Sequence, residues 1–237
     1  MKMICKAGKT KEIAKFYTYW LQPKGQKRRP RVNPTTEQQR KINDRHLVKR
    51  LTRLLNANFN GECWYVTFSY RKEDRPQDAK LLHKQEQKLL RDLRKVYKKE
   101  KRILKYIWTA EVGTRGAAHI HMVLSPIDAR KIRDVWPYGY TTLKPMERNG
   151  QYRRLAEYFI KYFQKTRDTD EQLQKKSYNP SKNLIRPVPK KQPMKGNRFS
   201  REIKIPPGWY LDKDSLREGF TADGYEFIYY TLIKEGG

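Results

Sequence analysis

The chain has 237 residues, with 54 Lys+Arg against 25 Asp+Glu and a formal net charge of +29. So large a surplus repels itself in a compact state and calls for a polyanion. Nucleic acid is the obvious one, and an anionic membrane surface is the competitor. The sequence holds no apolar run of bilayer-spanning length, and Met-Lys-Met-Ile-Cys-Lys at the start lacks the apolar core of a signal peptide. Cys5 and Cys63, the two cysteines, build neither a disulfide framework nor a zinc spacing, so a reducing cytosol is expected.

Taken in chain order, residues 1–60 carry 16 Lys/Arg against 3 Asp/Glu and read as a basic N-terminal extension. Its segment 22–36 is Pro-rich and basic, and 36–56 has helical spacing, with Leu47, Leu51, Leu54 and Leu55 on one stripe. Gly8-Lys9-Thr10 resembles the end of a phosphate-binding loop, but Met3 stands where that motif needs its first glycine, so no nucleotide-hydrolysing module is read here. A central domain is expected over 61–170. Within it, 64–70 predicts a strand, 78–101 a long charged helix, 104–112 and 117–125 two further strands. A short helix over 128–135, a strand over 138–143 and a helix over 151–166 follow. The order β-α-β-β-α-β-α implies an α+β fold with a central antiparallel β-sheet of about five strands and flanking helices. Residues 171–237 read as a basic, Pro-rich C-terminal extension, with a hairpin around Asp223-Gly224. The 16 Tyr and 5 Trp interleave with Lys and Arg. That mixture suits single strands, where bases stack on rings, and equally an aromatic core.

Strand alternation separates two faces. Trp64, Val66, Phe68 and Tyr70 share one face with Ala118, Ile120, Met122 and Leu124. The other face collects Tyr65, Thr67, Ser69, Thr109, Glu111, His119 and His121. If Thr114-Arg115-Gly116 is a three-residue loop ending in a left-handed glycine, Glu111 lies opposite His119. One carboxylate then stands beside two imidazoles, a set that can hold a divalent metal and leaves zinc, manganese and magnesium open. The competing reading is a pair of hydrogen-bonded structural histidines, but clustered His and Glu are costly to bury without a purpose.

Residues 158–165 read Tyr-Phe-Ile-Lys-Tyr-Phe-Gln-Lys, which is Y-x-x-K twice in tandem. On a helix, Leu155, Ala156, Phe159, Ile160 and Phe163 form an apolar stripe, and Tyr158, Lys161, Tyr162 and Lys165 form another roughly 145° away. The two phenols lie about 6 Å apart along the axis. A phenol is a poor nucleophile at neutral pH unless an ammonium or a metal favours phenolate. The alternative is a basic amphipathic helix that sits on phosphates.

The order Thr67-Phe68-Ser69-Tyr70, then His119-Ile120-His121, then Tyr158-Phe159-Ile160-Lys161-Tyr162 resembles the HUH endonucleases. Among them it is similar to the rolling-circle replication initiators (Rep proteins) of the two-tyrosine phage type. The likeness spans residues 62–166. Conjugative relaxases, by contrast, place their tyrosine ahead of the histidine motif, and no helicase motif is appended here. The resemblance implies an HUH (Rep nuclease) fold and a metal site, for Mn²⁺ or Mg²⁺, made by Glu111, His119 and His121. Tyr158 or Tyr162 would attack a phosphodiester, leaving a 5′-phosphotyrosine and a free 3′-hydroxyl, with Lys161 and Lys165 orienting phosphate. The expected partners are single-stranded or hairpin origin DNA and a host helicase and polymerase, with no membrane, in the cytoplasm of a bacterial or archaeal host cell. DNA contacts are expected from Lys27, Arg28, Arg29, Arg31, Thr67, Ser69, Arg115, Lys190, Lys191 and Arg198. An HUH transposase or mobilisation nickase, and a non-catalytic nucleic-acid-binding protein, are the alternatives.

Overall fold

A computed structural model of the chain describes residues 1–17, 36–112, 117–166, 176–194, 200–221 and 224–236, without the side chains of Val112, Tyr162, Lys165 and Thr166. The elements begin with β1 (Lys2–Ala7), β2 (Thr10–Phe16), α1 (Glu37–Asn58), β3 (Trp64–Tyr70) and α2 (Ala79–Lys99). They continue with β4 (Tyr106–Val112), β5 (Ala118–Leu124), α3 (Ala129–Arg133), β6 (Gly139–Pro145) and α4 (Arg153–Thr166). Four strands complete the chain: β7 (Asn179–Pro180), β8 (Lys190–Gln192), β9 (Trp209–Phe220) and β10 (Glu226–Lys234). The fold is α+β, with two antiparallel five-stranded sheets. Among the described residues no helix is long and apolar enough to cross a membrane.

The chain divides into two compact units, Asn58–Ile185 and Met1–Ala57 with Arg186–Gly237. In the first, the strands run in the order β6-β3-β5-β4-β7. The expected floor is present: Val66, Phe68, Ile120 and Met122 are buried against Leu82, Leu89, Leu93 and Tyr97 of α2. Each such side chain contributes roughly 1.5–3 kcal/mol by leaving water. Asp78 caps α2, its carboxylate accepting from the Leu81 N–H at 2.6 Å. Trp136 packs on Phe68 and Tyr70 and donates its indole N–H to the Ser69 carbonyl at 3.0 Å. The floor is thereby sealed, and the polar face is left to α4. At the ends of this unit the Asn58 amide donates to the Ile185 carbonyl at 2.8 Å and accepts from the Ile185 N–H at 2.8 Å.

In the second unit the order is β8-β1-β2-β10-β9. Both terminal segments supply its strands, including the expected C-terminal hairpin as β9 and β10 and a hairpin, β1–β2, for which no element was expected. Gly8 and Lys9 form the two-residue turn between β1 and β2, with Gly8 at φ +56°; a β-carbon there would lie 1.9 Å from the Asn56 carbonyl oxygen. α1 lies on the face that carries Cys5, Thr10, Glu12 and Ala14. Arg53 of α1 grips Glu12 with two bonds of 2.8 and 2.6 Å, and Asn56 donates to the Thr10 hydroxyl at 3.0 Å.

Candidate active site

The site grows from the register of three strands. Glu111 lies opposite His119 and Thr109 opposite His121 on β4 and β5, while Thr67 faces His121 and Ser69 faces His119 on β3 and β5. This is the expected pairing; the turn credited with it, including Gly116, lies outside the described residues. Directly opposed residues on one face put their β-carbons about 4.5–5.5 Å apart. Here Glu111 and His121 are buried, and Glu111, His119 and His121 each bring one ligand atom within 4.8 Å of the others. The Glu111 carboxylate oxygen stands 2.7 Å from His121 Nε2. A carboxylate oxygen and two imidazole nitrogens, gathered and largely shielded from water, fit a divalent metal, whose identity they leave open.

The second nitrogen of His121 is also held. Its Nδ1 lies 2.8 Å from the Tyr65 hydroxyl and 3.2 Å from the Thr67 hydroxyl. With the carboxylate accepting, Nε2 carries the hydrogen and Nδ1 accepts from a hydroxyl. For Nε2 to serve as a ligand the hydrogen must sit on Nδ1, and the same hydroxyls then accept it. A hydroxyl serves both tautomers because it donates and accepts. Burial holds the His119 imidazole below its ordinary pKa, with His121 and Arg75 adding to the shift and Glu111 opposing it. That keeps its lone pair free for a ligand role.

α4 lies on this polar face. Ala156, Phe159 and Ile160 are buried, and the Phe159 ring packs 6.3 Å from that of Tyr65. The Tyr158 ring meets His121 edge-on at 5.6 Å and Tyr65 at 6.4 Å, yet stays 39% exposed, so its phenol is open to a substrate. Burial pushes the Tyr65 phenol well above its usual range, and the neighbouring phenol of Tyr158, hydrogen-bonded to it, acts in the same direction. Lys161 is exposed one turn along. The side chains of Tyr162 and Lys165 lie outside the described residues.

Of the expected DNA contacts, Thr67 points its hydroxyl at His121, and Ser69 sits half-buried opposite His119. Lys190 and Lys191 are exposed on β8 of the other unit. Lys27, Arg28, Arg29, Arg31, Arg115 and Arg198 lie outside the described residues. Sequence reasoning gave no role to Tyr65 or Tyr140. Alternation had placed Tyr65 on the polar face, which was its one signal. Tyr140 follows from the pairing of β6 with β3, which puts it opposite Ser69 on that same face and leaves it 71% exposed.

No curated protein and no solved structure matches the chain. The segment that carries the Glu-His cluster and α4 does have a counterpart among protein families: residues 63–167 match the model of the replication-associated protein ORF2 family, a rolling-circle Rep-type family.

Proposed function

We propose that the protein is a rolling-circle replication initiator of HUH type, which nicks and rejoins single-stranded or hairpin origin DNA by metal-dependent transesterification. The observation that carries this reading is the Tyr158 phenol ring set edge-on against His121, beside the Glu111–His119–His121 cluster, inside the matched segment. A divalent cation held there, Mn²⁺ or Mg²⁺, would polarise the scissile phosphate and stabilise its developing charge. The Tyr158 oxygen attacks phosphorus, a new P–O bond forms to the phenol, and the bond to the 3′-oxygen breaks. The 3′-oxygen departs with a proton as a free hydroxyl, and the 5′-phosphate stays on the tyrosine. Attack by a 3′-hydroxyl on that phosphotyrosine reverses the step and rejoins a strand. Tyr162 supplies the second nucleophile and closes the displaced strand into a circle, while Lys161 and Lys165 orient phosphate. A host helicase and polymerase would open the duplex and extend the 3′-hydroxyl.

The test is covalent capture. Labelled origin single strand with Mn²⁺ or Mg²⁺ should give a protein–DNA adduct on denaturing gels. A chelator should abolish it, and so should the double change Tyr158→Phe, Tyr162→Phe. Adduct formation that survives the double change, or none with the unaltered protein, overturns the reading and leaves a nucleic-acid-binding protein without catalysis.

A further inference from the structure

Lysines crowd the face of the β8-β1-β2-β10-β9 sheet that is turned away from α1. Register puts Lys2 opposite Lys15 and Lys6 opposite Lys11 on β1 and β2, all on one face with Ile4 and Ile13 between them. Like charges directly opposite one another destabilise a sheet. A groove of about 280 Å³ opens on this face, with Ile13 and Tyr230 in its floor and Lys2, Lys11, Lys15 and Lys204 around it. Glu202 is the one carboxylate among its lining residues. The Lys15 ammonium donates to the Ser200 carbonyl at 2.5 Å. Burial and the charge of Lys2 hold Lys15 below the usual lysine range, Lys204 adding to this and Glu202 opposing it. None of these residues falls in the matched segment 63–167, so the initiator reading leaves the cluster without a task.

We propose that this groove is a second DNA-binding site, which takes the phosphodiester backbone against Lys2, Lys11, Lys15 and Lys204. A row of ammonium groups forced together on strands is neutralised only by a ligand with repeated negative charge. Lys11 and Lys15, four residues apart on β2, are spaced by about 13 Å along the strand. That is close to four steps of one DNA strand at about 3.4 Å each. The recessed apolar floor favours a chain that enters the groove over a flat lipid surface, which would require projecting apolar anchors.

The site is read from equilibrium binding by the full chain, in chelator and without nicking, so its failure and that of the initiator reading are distinguishable. Labelled oligonucleotides of unrelated sequence, single-stranded and duplex, are titrated over a salt series. The groove variant Lys2→Gln/Lys11→Gln/Lys204→Gln leaves Lys15 and its bond to Ser200 intact. Lys80→Gln/Lys84→Gln/Lys98→Gln, on the exposed side of α2, removes the same charge elsewhere. The slope of log affinity against log salt should become shallower by about 2 to 3 for the groove variant on at least one DNA form, and by less than about 1 for the control. The corresponding arginine variant should keep the original slope. Should the triple variant fail to fold, Lys11→Gln and Lys204→Gln singly should each remove about 0.7–0.9 of slope. An unchanged slope, an equal loss in the control, or lost binding to anionic phospholipid vesicles with the DNA slope intact overturns the proposal.

Discussion

His121 is engaged at both ring nitrogens, by Glu111 on one side and by Tyr65 and Thr67 on the other. Groups that hold the far nitrogen of a metal-binding imidazole set its tautomer and aim, and their loss typically costs 10–100-fold in metal affinity or activity. Tyr65→Phe removes one of the two hydroxyls while keeping the ring that packs on Phe159 and His121. The Mn²⁺ concentration for half-maximal adduct formation should therefore rise about tenfold, with activity recovered at saturating metal. An unchanged metal requirement would remove Tyr65 from this role. Glu111, His119 and His121 were readable in the sequence because a period of two assigns faces and an odd loop length assigns pairing. Tyr65 was readable only as a face position. Its partners depend on which side chain α4 presents, and that is settled by tertiary docking.

At the scale of elements, α2 carries an unusual load on its buried side. Glu86 is 5% exposed, one carboxylate oxygen has no hydrogen-bond partner, and His83 lies 3.4 Å from the other. Burial pushes its pKa up to about 8. An unfolded glutamate titrates near 4.3, so between those two values the folded chain binds more protons than the unfolded one. Stability attributable to this group therefore falls as pH rises from about 4.3 towards 8. Glu86→Gln should raise the melting temperature at pH 8 and leave it little changed near pH 4, followed by circular dichroism. Equal melting curves at pH 8 would show that the carboxyl is not strained by its burial. The helical period of α2 was plain from Leu82, Leu89 and Leu93, whereas the buried acid sits on the same stripe and reads as an ordinary surface charge. The sheet of β1, β2 and β10 was less legible still. β2 pairs with β10 more than 200 residues along the chain, and no local period announces a partner at that separation.

For the molecule as a whole, charge is the governing quantity. A net charge of +29 makes folding work against its own field, which salt screens over about 8–10 Å at physiological strength. The first thermal transition should move up with ionic strength, and further with added DNA, by about 2–4 °C for each kcal/mol of repulsion relieved. A transition that stays flat or falls with salt would mean that the lysine-rich surfaces do not set the stability. The surplus of positive charge was evident from composition. Its concentration in a lysine groove, apart from the Glu-His face, was not, because composition carries no register.

The hydrogen bonds that tie Asn58 to Ile185 have an architectural meaning. They join residues 127 positions apart, so the chain enters and leaves the Asn58–Ile185 unit at adjacent points. A unit whose ends meet can be spliced into a host loop, or lifted out, without stretching either side. The half of this protein that holds the Glu-His cluster is thus built as an insertion cassette, portable between carriers with different DNA preferences.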